Sequence, residues 1–379
     1  MGILPMKETR PGMAVPRCWL WLPGEMCCHR RSREFPLHMN RRNFITVLGS
    51  GLLVPPALKA DHHVISADPL EVEFDLGSLR GRYTSAEDFY VRNHFAAPAP
   101  VESATLRTEG EVEKSLDLTF ADFTKLTERE AGAVLECAGN RVGSTGLVSN
   151  GRWTGWPFAQ VLALAHPTAK AAHVHFVGRD GYKRSVPLER AADDALLVTH
   201  LNGRPLTGQH GAPWRVILPG WYAMDSVKWL ELIVLADSPL PPEGGTYQQS
   251  RQTSSGEVER QPLPRVQVKS IITEPAPGAI LPRGKVRIRG LAWSGAGTIA
   301  SVEVSTDGSA NWLAAALDPG KDFEWAMWSA SLELLQPGGV EIVARAKDVK
   351  GNEQPAERDS TRLDGYTNNW YHRVRCVVV

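Results

Sequence analysis

The sequence predicts an α+β protein, with a mixed, β-rich domain over residues 61–250 followed by an immunoglobulin-like β-sandwich over residues 265–379. Two patterns carry that prediction. Residues 68–250 alternate short apolar runs with Gly/Pro turns and leave room for few helices. Further on, apolar residues recur at every second position with turn signals between the runs, as in half-buried antiparallel strands. The chain of 379 residues is long enough for two separate cores.

At the N-terminal end, Arg41-Arg42-Asn43-Phe44-Ile45 is followed by an apolar stretch to Leu58. That stretch is too short to span a bilayer and is broken by Pro55-Pro56. Residues 39–60 therefore read as a twin-arginine signal, with Ala60 as a cleavage point and Met39 as the start. Residues 1–38 read as a mis-called extension, and the expected location is periplasmic or otherwise exported. Arg30-Arg31 has no such apolar sequel. Cys18, Cys27 and Cys28 fall in the extension, leaving only Cys137 and Cys376 in the mature chain, so no disulfide framework is expected.

Within the first domain, Thr119 and Asp122 resemble a capping box and predict a helix over 119–130, with Phe120, Phe123 and Leu126 on one face. Pro157 opens a second helix, with Phe158, Val161, Leu162 and Ala165 on one stripe. Strands are predicted at 173–177, 214–218 and 228–235. The Gln/Ser-rich stretch at 246–262 reads as a linker or long loop, with the linker assigned to 251–264. In the sandwich, Val286 and Ile288 alternate with Lys285, Arg287 and Arg289. Val302 and Val304 flank Glu303, and Val340, Ile342, Ala344 and Ala346 alternate with Glu341, Arg345 and Lys347. Asp307-Gly308 and Lys350-Gly351-Asn352 supply turns. Trp312, Trp325 and Trp328 are expected in the sandwich core.

Charge excludes one function class. Residues 1–60 carry nine Lys/Arg against three Asp/Glu, and the remainder carries 33 against 39. A mildly acidic mature chain is a poor nucleic-acid binder, so no nucleic-acid partner is expected.

Cys137 carries the first chemical signal. It ends the apolar run Val134-Leu135-Glu136 and opens the turn Ala138-Gly139-Asn140-Arg141. A lone thiol is ordinarily a small buried hydrophobe. Twin-arginine substrates are exported folded, often with a cofactor in place, which favours a ligand role. His173 and His175 share a strand face and could bind a metal, though local strand partners suffice for both.

The chain resembles the sulfite oxidase family of molybdenum enzymes. The resemblance covers nearly all of residues 68–379 and rests on ordered segments. These are Tyr90-Val91-Arg92-Asn93-His94, Glu136-Cys137-Ala138-Gly139-Asn140-Arg141, Arg152-Trp153-Thr154-Gly155, Asp180-Gly181, His210-Gly211-Ala212-Pro213-Trp214-Arg215, Pro219-Gly220, Ser226-Val227-Lys228-Trp229-Leu230, and a closing run from Gly365 to Val374. The resemblance implies a molybdopterin-binding first domain and a cofactor of molybdenum and molybdopterin. Cys137 would be the protein thiolate on the metal, a soft donor suited to a transition metal. His210, Arg215 and Lys228, with the Ser226 and Val227 backbone, would hold the pterin phosphate. His94 and Asp180 would hold the pterin itself. Arg92, Trp153 and Tyr247 would complete the catalytic pocket.

Three positions depart from the pattern. The second Arg expected after Arg141 is Val142, the Arg expected before Gly365 is Asp364, and Gln252 stands where the resemblance would place the active-site Tyr, with Tyr247 as a substitute. The implied reaction is oxygen-atom transfer at molybdenum, with a small oxyanion or sulfur oxide as substrate and sulfite leading. No Cys-x-x-Cys-His haem motif occurs, so a separate electron-transfer protein such as a cytochrome is expected as acceptor. A homodimer through the sandwich is also implied. The alternatives are a reductase of sulfoxides or related oxides, and a non-catalytic exported interaction protein.

Overall fold

The computed structural model describes residues 62–101, 104–141, 146–241 and 247–379. The upstream extension, the twin-arginine segment, Cys18, Cys27, Cys28 and Val142 lie outside the described residues.

One mixed and one antiparallel five-stranded sheet build most of the first domain. One is ordered Leu116–Leu118, Leu106–Gly110, Leu230–Ala236, His173–Gly178, Lys183–Pro187, with a single parallel pair between Leu106–Gly110 and Leu230–Ala236. The other runs Arg204–Pro205, Leu196–Leu201, Val148–Pro157, Arg129–Glu136, and Arg215–Ile217 also pairs with Leu196–Leu201. A core of Phe123, Trp156, Phe158, Phe176, Trp214 and aliphatic residues joins them. The apolar stripe read from the sequence accounts for helix Phe158–Ala165, where Phe158, Val161, Leu162 and Ala165 are all buried.

The helix expected over 119–130 is shorter, spanning only Phe120–Phe123. Its start is as read, because the Asp122 carboxylate accepts from the Thr119 N–H at 2.6 Å and hydroxyl at 2.8 Å. It stops early because Thr127 turns out to bond Gln160, its N–H donating at 2.9 Å, and Arg129 already begins a strand. The strand predictions match His173–Gly178, Arg215–Ile217 and Leu230–Ala236.

The linker expected over 251–264 needs correction. Gln248–Gln252 pairs antiparallel with Val258–Pro262 to form a hairpin. Nearly all of its side chains are partly or fully exposed, so it carries no apolar alternation to betray it.

The sandwich packs a four-stranded sheet, Lys269–Glu274, Gly284–Trp293, Ala326–Leu334, Ala316–Asp318, on a five-stranded one. The second is ordered Ile280–Leu281, His372–Val378, Gly338–Asp348, Ile299–Ser305, Leu313–Ala314. Val286, Ile288, Val302, Val304, Ile342, Ala344, Ala346 and Trp328 fill the core between them. The other two tryptophans differ from expectation. Trp325 is buried where the sandwich meets the first domain, donating to the Arg82 carbonyl at 2.7 Å. Trp312 is only partly buried, with the Arg345 guanidinium 4.0 Å from its ring centroid.

Candidate active site

Several loops of the first domain converge on a cleft. Strand Arg129–Glu136 delivers Cys137 to its wall, and the Cys137 N–H donates to the Leu147 carbonyl at 2.9 Å. The strand Val91–Arg92 brings in Tyr90, Arg92 and His94. The turn after His173–Gly178 contributes Asp180 and Tyr182, and short 3-10 turns contribute His210 and Met224. Ser226, Val227, Lys228 and Tyr247 complete it.

The inner end of the cleft is built from two cations, Arg215, which is buried, and Lys228, which is partly buried. The Arg215 guanidinium donates to the carbonyls of His210 at 3.2 Å and Ser226 at 2.8 Å. The Lys228 ammonium donates to the Asn93 side-chain oxygen and, at 3.2 Å, to the Gln209 carbonyl. Neither cation pairs with a carboxylate among the described residues. Burial pushes Lys228 well below its ordinary value, and Arg215 adds to the push. Burial likewise lowers Arg215 to about 10. His210 falls to about 3 because of burial and then of Lys228 and Arg215, so it stays neutral and donates from Nε2 to the Ala86 carbonyl at 2.9 Å. Gly211 lets these groups crowd together. It adopts φ +97°, and a Cβ there would sit 3.0 Å from the Lys228 Cβ and 3.2 Å from the Arg215 Cβ.

At the outer end, the thiol of Cys137 is raised by burial, opposed by the Gly139 N–H and the Arg92 charge. Arg92 is held from behind by Glu71, 3.3 Å from its Nε. Tyr247 has its phenol pushed up to about 12 by burial and by Cys137. Its hydroxyl lies 3.4 Å from His94 Nδ1, and its ring lies tilted against Tyr366, with centroids 5.5 Å apart. Asp180 is raised by burial while accepting from the Tyr182 N–H at 3.1 Å.

Of the residues expected in the pocket, Cys137, Arg92, Tyr247, His94, Asp180, His210, Arg215, Ser226, Val227 and Lys228 all line this cleft. Trp153 does not belong with them. It is 0% exposed and lies one layer back, edge-on to Phe89, with Arg215 5.4 Å from its ring centroid. Its position in Val148–Pro157, paired on both sides, points it into the sheet core. Gln252 is exposed on the hairpin and its N–H donates to the Thr361 carbonyl, so Tyr247 is the phenol of the cleft. Asp364 adds no loose negative charge. Arg362 Nε donates to it at 3.0 Å, as do the N–H groups of Ser250 and Tyr366. Burial alone would raise the Asp364 carboxyl, and these donors more than offset it, holding it below its usual range.

Three contributors went unassigned in the sequence. Asn93, inside a motif already singled out, anchors Lys228. Tyr182 lies against His94, with ring centroids 5.2 Å apart, and its hydroxyl donates to the Met224 carbonyl at 3.0 Å. Arg184 sits 5.3 Å from the Tyr247 ring centroid and pairs with buried Asp225 at 2.9 Å. Tyr182 follows Asp180-Gly181 directly, which was its available signal. The histidines at 173 and 175 form no metal cluster among the described residues, and His175 bonds the Ser238 carbonyl at 3.0 Å.

Residues 94–243 match the oxidoreductase molybdopterin binding domain, and residues 260–378 match the Mo-co oxidoreductase dimerisation domain. The chain is 32% identical to sulfite oxidase from Gallus gallus, an alignment covering 82% of this chain and 76% of that one. The chain belongs to the sulfite oxidase family. Its identity to the family's Arabidopsis thaliana enzyme is 30%, covering 84% of this chain and 93% of that one. With the mitochondrial enzyme of Homo sapiens it is 33%, and there the chain spans 66% of the relative's length. Among solved structures, the sulfane dehydrogenase SoxCD from Paracoccus pantotrophus superposes with a TM-score of 0.74 at 27% identity, covering 81% of this chain and 84% of that one. As a family member the protein is a molybdenum- and molybdopterin-dependent oxidoreductase.

The residues present fit that cofactor. Two buried donors at the inner end, Asn93 Nδ2 and Arg215 Nε, have no acceptor among the described residues. Together with two cations lacking a carboxylate, they form a site that a phosphate would satisfy.

Proposed function

We propose that this enzyme oxidises sulfite to sulfate after export through the twin-arginine pathway. Electrons leave singly to a separate protein of the cytochrome class, and the sandwich pairs two copies. The observation that carries the reading is that one cleft is lined by a thiol, the Arg92 cation and the Tyr247 phenol together with the cations Arg215 and Lys228. The names of the relatives support sulfite in particular, and the Arg41-Arg42 segment supports export.

In this reading Lys228, Arg215 and the Ser226–Val227 backbone hold the cofactor's phosphate, His94 and Asp180 hold the pterin, and Cys137 supplies a thiolate ligand. When bound, the cofactor supplies two-electron oxygen-atom transfer; the protein supplies placement and charge. Arg92 attracts the sulfite dianion and turns its oxygens away from the reacting centre, with Glu71 fixing the guanidinium. Tyr247 stays protonated at neutral pH and donates a hydrogen bond to substrate or product oxygen. Asp364, neutralised by Arg362, imposes no like-charge cost on the dianion.

Steady-state assay of molybdenum-loaded protein with a one-electron acceptor tests this, with sulfite, a sulfoxide and a sulfane-sulfur compound run in parallel. The last is included because of the likeness to a sulfane dehydrogenase. Sulfite turnover is expected. Turnover of sulfoxide alone would favour the reductase reading, and protein purified without molybdenum would favour a non-catalytic role. Cys137→Ser should abolish turnover and the thiolate-to-metal absorption band; an unchanged band would remove Cys137 as ligand.

A further inference from the structure

The turn that carries Cys137 is gripped by the other domain. The Glu136 side chain is only 3% exposed, and the Lys269 side chain, from the first strand of the sandwich, is 1% exposed. The Lys269 ammonium donates to Glu136 Oε1 at 2.8 Å. Trp293 is the cross-strand neighbour of Lys269, and its Nε1 donates to Glu136 Oε2 at 2.9 Å. The same carboxylate accepts from the Asn140 side-chain amide at 3.0 Å, closing the turn across Cys137. A second grip comes from the closing motif of the chain, where the Thr367 N–H donates to the Ala138 carbonyl at 2.8 Å.

A carboxylate buried so deeply is stable only when its acceptor sites are filled, so its position is fixed by its donors. Two of those three donors belong to the sandwich. The residue they fix is bonded directly to Cys137. A thiol on a turn anchored only within its own domain could shift with local opening, whereas this one is registered to the second core.

We propose that the sandwich domain positions the Cys137 sulfur, with Lys269 and Trp293 as positioning residues acting through Glu136 and Asn140. The inference deepens the reading of Cys137 as a cofactor ligand and rests on it for its catalytic consequence.

The test uses the full chain. Lys269→Met alone would strand a buried charge, so the informative variant is Lys269→Met/Glu136→Gln, which removes both charges with little change in shape. In cofactor-free protein, Cys137 alkylation by iodoacetamide is followed by peptide mass mapping. The double variant should react faster by about threefold or more, reflecting a looser turn. In loaded protein the thiolate-to-metal band should shift, and kcat should fall about ten- to a hundredfold with KM little changed. Tyr83→Phe is the control, since it removes a different cross-domain bond, from the Tyr83 hydroxyl to Glu324 at 2.7 Å. It should leave alkylation and band as in wild type. An unchanged alkylation rate in the double variant, or an equal change in Tyr83→Phe, overturns the proposal. Because alkylation is read without cofactor, it decides positioning even if Cys137→Ser shows that the thiol is not a ligand.

Discussion

At the scale of residues, the cleft separates two kinds of cation. Arg215 is depressed by burial and Lys228 by burial and then by Arg215, which suits a fixed anion, whereas Arg92 is partly exposed and backed by a carboxylate. Arg92→Gln should therefore lower kcat/KM for sulfite by about ten- to a hundredfold, the equivalent of one charge-assisted contact of roughly 1.5–3 kcal/mol, with cofactor occupancy kept. Lys228→Met should do the opposite, lowering molybdopterin content. Metal and pterin analysis beside steady-state kinetics separates the two, and lost cofactor in Arg92→Gln would move Arg92 to the pterin site. Buried histidines give a pH prediction. His210 sits at about 3 and His372 at about 4, each lowered first by burial, against about 6.5 in the unfolded chain. The unfolded state then binds more protons below pH 6.5, so their contribution to stability is present above that pH and lost as pH falls. Each should steepen the loss by up to about 1.4 kcal/mol per pH unit. Chemical denaturation of cofactor-free protein between pH 7 and 5 checks this, and His210→Gln should flatten the slope.

At the scale of elements, the close pairing of strands explains a motif glycine. Gly155 pairs with Val198 in the strand behind the cleft, and a Cβ there would lie 2.0 Å from the Leu197 carbonyl oxygen. Backbone cannot yield as a side chain can, so Gly155→Ala should destabilise by about 1–3 kcal/mol or more, measured by denaturant unfolding. What the sequence revealed at this scale follows from burial. Strands with one buried face, such as Gly284–Trp293, show alternation and are legible. The hairpin Gln248–Gln252 with Val258–Pro262 has almost no buried face and reads as a linker, although it frames the segment bearing Tyr247. The same logic separates the site residues. Cys137, Lys228 and Arg215 lie in fixed local motifs and were readable, whereas the placement of Trp153 depended on which side of a doubly paired strand faces the cleft, which spacing does not encode.

At the scale of the whole molecule, the two folds were legible but their union was not, because the residues joining them are far apart in sequence. Arg82 and Trp325, or Glu136 and Lys269, meet only in three dimensions. Phe74, Val134, Val148, Tyr222, Leu263, Trp293 and Trp325 form one apolar cluster drawn from both domains. The Val134 N–H also donates to the Phe323 carbonyl at 2.9 Å, so a strand of the first domain is completed by a loop of the second. Neither domain can then lose its partner without exposing apolar surface and unpaired backbone. The described unit should unfold in one cooperative transition, with tryptophan fluorescence and far-UV circular dichroism coinciding. Trp325→Ala should cost about 3–5 kcal/mol, because it opens a cavity in the shared core. It also removes the donor to the Arg82 carbonyl. That loss should lower the midpoint of both signals together. Two separated transitions in the variant, with the first domain melting at its original midpoint, would show that the sandwich is an independent attachment rather than part of the frame that holds the cleft.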